Sequence, residues 1–258
     1  MINRNGVIDL DFSCICERAG RSNNEDCLSI AQKDGAYCFT VCDGLGGHGK
    51  GEVASATVCN SFKELFEEHN TDLSTFLESA FSAACSRIRR AAQENSELAC
   101  MKTTAVSLII DKKRCSWGHV GDSRLYGFKD GKVIRITEDH SVPYLLVKSG
   151  SIKFGDIRRH PDRNKLLRAI GPEDSEETDF EVVKEERSED FDAFLLCTDG
   201  FWEYINERKM CRLLRHSSNA SQWLAKMKKA VCAKGRRCKM DNYTAVAIIT
   251  NAKECSTK

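Results

Sequence analysis

Aspartates beside glycine or asparagine recur where apolar segments of this chain begin or end. Asp43 ends the run "FTVCDG", Asp122 ends "WGHVGDS" and Asp199 ends "FLLCTDG". Asp241 precedes Asn242 and opens the last apolar segment. A single Asp-Gly pair is most simply a turn, because aspartate bonds its own backbone and glycine accepts turn geometry. Four such positions in one chain suggest that they share a site.

Convergence of these carboxylates would create a metal site. Strand ends from different parts of a sheet can meet at one edge, where four carboxylates would repel one another unless a cation lay between them. Mg²⁺ and Mn²⁺ prefer oxygen ligands, and the glycine after Asp43 lets a backbone carbonyl approach an ion. Two ions about 3.5–4 Å apart would activate a bridging water and hold an oxyanion during in-line displacement. Arginine would be the usual partner for a phosphoryl group.

Composition excludes several other classes of protein. The 258 residues are 41% hydrophobic and 30% charged, which is typical of a globular chain. The net charge of +1 gives no broad basic surface for nucleic acid. No run approaches the roughly 20 apolar residues of a membrane span, and the first residues lack the apolar stretch of a signal peptide. Because we find no linker or low-complexity tract, we predict a single domain.

The 14 cysteines form an unusually large set for this length. A disulfide framework would suit a small secreted protein, but Cys38, Cys42 and Cys197 lie inside apolar segments, as free thiols of a core do. The spacing of the cysteines does not indicate a zinc site. We therefore predict reduced core thiols and, from them, a cytoplasmic protein.

Hydrophobic periodicity predicts strands first, then two long helices, then strands again, and finally shorter helices before a last strand. Such segregated runs favour an α+β fold in which helices pack on sheets. Asp130 and Gly131 supply the turn of a hairpin. The predicted strands are 7–20, 35–44, 103–110, 114–123, the hairpin 124–137, 193–200 and 242–250. The predicted helices are 49–69, 72–97, 206–216 and 219–235.

Eight motifs, in order, resemble the metal-dependent protein serine/threonine phosphatases known as type 2C or PPM. The resemblance covers about residues 7–250. Leu45 and the "HPDRN" stretch make the chain similar to the bacterial type. The motifs are "RSNNED" (21–26), "VCDGLGGHGKGEVAS" (41–55), "KTTAV" (102–106), "GHVGDSRLYGF" (118–128), "TEDHS" (137–141), "HPDRNKLLRAIG" (160–171), "LLCTDGFWEYI" (195–205) and "DNYTAVAI" (241–248).

The resemblance implies a centre of two Mg²⁺ or Mn²⁺ ions. Asp43 would bridge them and the Gly44 carbonyl would bind one. Asp199 and Asp241 would complete the shell of the first ion. Glu25 would reach metal-bound water.

The resemblance also implies roles around this centre. Arg21 would hold the phosphate, and Asp122, together with Asp199, would contribute to a third, weaker ion. Asp26 would lie close by, and Asn242 would support the site through a hydrogen bond. Arg21, Asp43 and Asp199 would then carry catalysis.

The implied fold is a four-layer α-β-β-α sandwich of two antiparallel sheets flanked by helix pairs. The implied domain is a single unit, residues 1–258, with a core of about 7–250 and a flap of about 141–170. The implied activity is hydrolysis of phosphoserine and phosphothreonine in proteins, opposing a Hanks-type kinase. A regulatory binding module with the same fold, or a hydrolase of small phosphoesters, remains the alternative.

Several positions depart from the family pattern or stay open. Leu45 stands where many eukaryotic members carry a histidine proposed as general acid. We interpret His48 as a polar loop residue, and His140 as a structural residue bonded within its own turn. The arginines of "RRHPDR" (158–163) form either a solvated basic loop or an attractor for acidic phosphosegments.

Overall fold

The computed structural model describes residues 10–45, 50–68, 73–172, 180–235 and 240–250. The strands are β1 Asp11–Glu17, β2 Asp26–Lys33, β3 Ala36–Leu45, β4 Lys102–Thr103, β5 Ala105–Ile110, β6 Arg114–Val120, β7 Arg124–Lys129, β8 Lys132–Ile136, β9 Glu181–Arg187, β10 Ala193–Cys197 and β11 Tyr243–Ile249. The helices are α1 Gly51–Glu68, α2 Leu73–Glu94, α3 Val142–Lys148, α4 Asp199–Trp202, α5 Glu207–Arg215 and α6 Ala220–Gly235.

The strands form two antiparallel sheets. One has the order β1-β11-β10-β7-β8, and the other has the order β2-β3-β5-β6-β9, with β4 paired to β3. Apolar side chains from the facing sides of both sheets, including Val41, Leu108, Leu196 and Val246, are buried in one cluster between them. This cluster is the middle of the molecule, because each sheet turns its other face to helices.

Helices cover the outer face of each sheet. Phe62 of α1 and Phe81 of α2 pack edge to face, with ring centroids 4.9 Å apart, in the cluster that includes Cys42 and Ile109 of the second sheet. Trp223 of α6 is buried with residues of the first sheet in a separate cluster. The predicted four-layer α-β-β-α sandwich is therefore confirmed.

The structure differs from the sequence prediction in two strands and at several boundaries. β2 and β9 were not predicted, and β9 reads "EVVKEER", in which five of the seven residues are charged and obscure the strand pattern. The predicted strand 103–110 is broken at Thr104 into β4 and β5. The second helix ends at Glu94 and is followed by a 3-10 turn, Ser96–Leu98, because the side chain of Asn95 accepts the N–H of Glu97.

The hairpin of β7 and β8 follows the prediction. Asp130 has φ 50° and Gly131 has φ 66°. Two successive left-handed residues match the right-handed twist of the flanking strands.

Among the described residues, no helix combines the length and apolar character that crossing a membrane requires. The twelve cysteines of the described residues are thiols, and none of them is joined in a disulfide. Six of these thiols are only partly buried or are exposed, among them Cys14, Cys16 and Cys100. The prediction that the cysteines lie in the core holds for the others.

Candidate active site

One edge of the sandwich contains a cavity of 410 Å³. All the predicted site residues except Asp26 line it. The lining residues are Arg21, Glu25, Asp43, Gly44, Leu45, Asp122, Asn164, Leu166, Asp199, Asp241 and Asn242. Residues from six separated parts of the chain thus meet at one place, among them the four aspartates that the sequence predicted to converge. His48 lies outside the described residues.

Asp43 is held inside β3, which continues beyond it to Leu45. Its main-chain oxygen accepts the N–H of Thr104 at 2.8 Å and the hydroxyl of Thr103 at 2.9 Å. Its own N–H donates to Oγ1 of Thr104 at 3.2 Å. The two threonines therefore fix the backbone on both sides of the Asp43 side chain.

Glycine is required after each of two site aspartates because the backbones approach closely. A Cβ on Gly44 would lie 2.3 Å from the carbonyl oxygen of Gly51 and 2.6 Å from that of Glu25. A Cβ on Gly200 would lie 1.9 Å from the carbonyl oxygen of Asn242. The second contact joins α4, which Asp199 begins, to the segment that carries Asp241. Asp199 is thus the first residue of a helix and not, as predicted, the end of a strand.

Replacing Gly200 by alanine is expected to destabilise the protein by at least about 2 kcal/mol, because the added methyl group would force these backbones apart. Chemical unfolding measured by circular dichroism would report the change. Gly155→Ala is the matched control, because no heavy atom lies within 4 Å of its added Cβ. Equal stability of the two variants would contradict the close approach.

Asn242 fastens the loop that carries Arg21. Its Oδ1 accepts the N–H of Glu25 at 2.9 Å, and its Nδ2 donates to the carbonyl oxygens of Arg18 at 2.8 Å and Asn23 at 2.9 Å. The guanidinium of Arg21 donates to Oδ2 of the neighbouring Asp241. In this structure the arginine therefore neutralises one of the site carboxylates.

Asp26 lies behind the cavity, opposite Asp43 in the β2–β3 pairing. Its Oδ2 accepts the hydroxyl of Thr198 at 2.9 Å, whereas its Oδ1 is buried without a hydrogen-bond partner among the described residues. Burial, together with the charges of Asp199 and Asp241, raises the pKa of Asp26 to about 7.

The cavity carries more negative than positive charge. Burial and the neighbouring carboxylates raise the pKa of Asp43 and of Asp122 well above the usual range, and that of Asp199 also rises. Among the described residues that line the cavity, Arg21 alone is cationic. The cavity offers many carboxylate oxygens and only one cationic side chain among the described residues. Such a set of ligands fits hard divalent ions.

The segment 141–170 borders the cavity with Asn164 and Leu166, which sequence reasoning did not assign. Two of its arginines are occupied by the protein itself. Arg158 pairs with Glu207 at 2.6 Å, and Arg163 pairs with Glu203 at 2.9 Å. The structure therefore favours neither of the two predictions for "RRHPDR", a solvated basic loop or an attractor for acidic phosphosegments. Both side chains form ion pairs with glutamates that follow Asp199 in the chain.

Glu203 is a second residue that sequence reasoning missed. Burial, followed by the charge of Asp199, raises its pKa to about 7. No motif indicated it, because its environment depends on Arg163, which is 40 residues away in the chain.

In addition to the carboxylates of the cavity, the described residues contain one other group of potential metal ligands. His119, His140 and Glu181 have ligand atoms within 4.8 Å of one another. The two imidazoles stack with centroids 4.7 Å apart and planes inclined by 12°. Nε2 of His140 lies 3.2 Å from Oε1 of Glu181, although the geometry is too poor for a hydrogen bond.

Residues 16–243 match the sequence profile of the family described as protein phosphatase 2C. The chain belongs to the protein phosphatase 2C family. A curated relative, the serine/threonine phosphatase stp of Listeria welshimeri, is 32% identical over 208 residues, which are 78% of this chain and 81% of the relative. The sequence-based resemblance is thus confirmed.

Solved structures of serine/threonine phosphatases have the same architecture. Stp1 from Staphylococcus aureus superposes with a TM-score of 0.86 at 26% identity, covering 94% of this chain and 96% of that one. The catalytic domain of PstP, solved in complex with two manganese ions, superposes with a TM-score of 0.77 at 24% identity, covering 93% of this chain and 97% of that one. The latter shows a shared fold.

Proposed function

We propose that this 2C-type chain hydrolyses phosphoserine and phosphothreonine esters in proteins with the help of Mg²⁺ or Mn²⁺. The observation that carries the proposal is the convergence of Asp43, Asp122, Asp199 and Asp241 with Arg21 around a single cavity. Membership of the family and the name of the Listeria relative support the substrate class.

The residues present fit divalent ions. Burial, and after it the charge of neighbouring carboxylates, raises the pKa of Asp43 and Asp199, and Oδ1 of Asp26 has no partner among the described residues. Asp43, Asp199 and Asp241 would hold the core ions with the carbonyl of Gly44. Asp122 would help to hold a weaker third, and Glu25 would orient water. Ions bound there would activate water for attack on phosphorus and neutralise charge on the phosphate.

The protein's own groups would bind and orient the substrate. Arg21 lies at the cavity with half of its side chain exposed, so its guanidinium can exchange Asp241 for two phosphate oxygens. Leu45 lines the cavity and has no proton to donate. The proton for the leaving serine or threonine oxygen must therefore come from another source than position 45.

The function is tested by comparing substrates and metals in one assay. We expect release of phosphate from a phosphothreonine peptide with Mn²⁺, none with EDTA, and slower release from a sugar phosphate. Faster turnover of the sugar phosphate would favour a small-molecule hydrolase. No turnover of any substrate, in protein that binds Mn²⁺, would favour a regulatory binding module.

Arg21→Ala is expected to raise KM for the phosphopeptide about 10-fold or more, since a charge-assisted hydrogen-bond pair to phosphate is lost. The Mn²⁺ concentration for half-maximal rate should not rise, because the change releases Asp241 from its ion pair. Arg18→Ala is the control: among the described residues the side chain of this nearby arginine bonds only the carbonyl of Ser22, and it does not line the cavity. A larger effect on Mn²⁺ than on KM would place Arg21 among the metal-supporting residues.

We further propose that the chain forms one catalytic domain with a core of about 7–250 and a flap at 141–170. A Hanks-type kinase would supply its phosphorylated substrates. The absence of disulfides among the described cysteines supports a reducing, cytoplasmic setting. A phosphoproteome compared with and without the gene would identify the substrates.

A further inference from the structure

Asp122 lies in a three-residue turn between β6, which ends at Val120, and β7, which begins at Arg124. Gly121 has φ +94°, a conformation that glycine adopts readily. The Nε1–H of Trp202 donates to the Asp122 carbonyl oxygen at 3.0 Å. Because the turn is short, whatever holds its two ends also sets the direction of the Asp122 side chain.

His140 holds the first end of this turn. Its main-chain N–H donates to the Gly121 carbonyl oxygen at 2.9 Å, and its Nδ1 accepts the Gly121 N–H at 3.1 Å. The peptide groups on both sides of Gly121 are thus bonded to one residue. This corrects the sequence interpretation, which placed the bonds of His140 within its own turn.

Asp139 holds the other end. Its two carboxylate oxygens accept Nε and Nη2 of Arg124 at 2.7 Å and 2.6 Å. The side chains of the pair are 0% and 1% exposed, so neither can exchange its partner for water. The ring of Trp202 covers the guanidinium at 3.5 Å. Such a buried, bidentate pair fixes position because breaking it would leave a buried charge unpaired.

We propose that Asp139 and His140 act together as a clamp that positions Asp122 for divalent-ion binding. The inference rests on the proposed function. The clamp also anchors the segment 141–170, because Ser141 caps α3 and the N–H of Leu167 donates to the His140 carbonyl oxygen at 2.8 Å. Asp139 and His140 are therefore positioning residues between this segment and Asp122.

The alternative use of His140, as a ligand in the group with His119 and Glu181, conflicts with its hydrogen bonds. Nδ1 accepts a hydrogen bond from the Gly121 N–H and so carries no proton itself, which places the proton of the neutral ring on Nε2. A protonated nitrogen cannot bind a metal, and Nε2 is the atom that faces Glu181. The lone pair of Nδ1 is the one that the clamp uses, as the acceptor for the Gly121 N–H.

The test measures Mn²⁺ binding by titration calorimetry, together with turnover. His140→Leu removes the acceptor for Gly121 and should weaken the weakest Mn²⁺ site about 10-fold, as loss of a ligand's supporting partner commonly does. KM for the peptide at saturating Mn²⁺ should change less than about twofold. His140→Asn offers Oδ1 in place of Nδ1 and should restore most of the affinity.

Two further variants decide between explanations. In an Asp122→Asn background, His140→Leu should add nothing to the loss of affinity, because both changes act through one group. Glu181→Gln should bind Mn²⁺ like the unchanged protein. The clamp is refuted if His140→Leu lowers only the melting temperature, or if Glu181→Gln weakens Mn²⁺ binding equally. An unchanged protein that binds Mn²⁺ without turnover would instead refute the proposed function alone.

Discussion

Asp199→Asn is expected to lower turnover of a phosphothreonine peptide on the order of a thousandfold, and Asp43→Asn should do the same. Both residues line the cavity, where burial raises the pKa of each carboxyl group. An amide keeps the size of the side chain but removes the charge that a divalent ion needs. Steady-state rates at saturating Mn²⁺ measure the effect.

The same substitutions should leave the metal-free protein as stable as before, or more stable. Burial and neighbouring carboxylates penalise the charged forms of Asp43 and Asp199, so a neutral amide relieves repulsion. Asp34→Asn is the control, because Asp34 is exposed in the turn before β3 and its φ of 50° also suits asparagine. Near-normal turnover by Asp199→Asn would contradict the site assignment.

The second large effect concerns pH. Without divalent ions, the melting temperature should fall on the order of 10 °C as the pH rises from about 4 to about 7. A carboxyl whose pKa is raised in the folded protein holds its proton after the unfolded chain has lost it. Its stabilising contribution is complete below the ordinary pKa and is lost as the pH rises through the folded one. Asp26 and Glu203, each with a pKa of about 7, extend this window to neutral pH.

Saturating Mn²⁺ should remove most of this dependence, because the ions replace protons in neutralising the cluster. Calorimetric scans in EDTA and in Mn²⁺, at matched ionic strength, separate the two conditions. A metal-free protein whose melting temperature increases steadily between pH 4 and 7 would show that the buried carboxylates are compensated by something other than ions.

Much of the site could be predicted from the sequence, because its residues stand in short motifs next to glycine. Gly44 and Gly200 are needed where two backbones nearly touch, so the glycines that follow Asp43 and Asp199 have a steric cause. The four-layer fold followed from the resemblance, since periodicity alone indicates only helices packed on sheets. β9 was missed because its charged side chains lack the alternation of a half-buried strand.

What the sequence could not show is the choice of partner between distant residues. Asp139 and Arg124 stand 15 residues apart and form a fully buried pair, but nothing in either motif names the other. Arg163 stands in a basic stretch of the sequence, and its side chain forms an ion pair with Glu203. Such pairings depend on how distant parts of the chain pack together, which local patterns do not determine.

We propose that carboxylates from distant parts of the chain bind divalent ions in one cavity. An anomalous difference map from crystals grown in Mn²⁺, recorded near the manganese absorption edge, tests it directly. We predict at least two peaks among Asp43, Asp199 and Asp241, one of them also near the Gly44 carbonyl. A well-ordered cavity without an anomalous peak, in crystals saturated with Mn²⁺, would contradict the account.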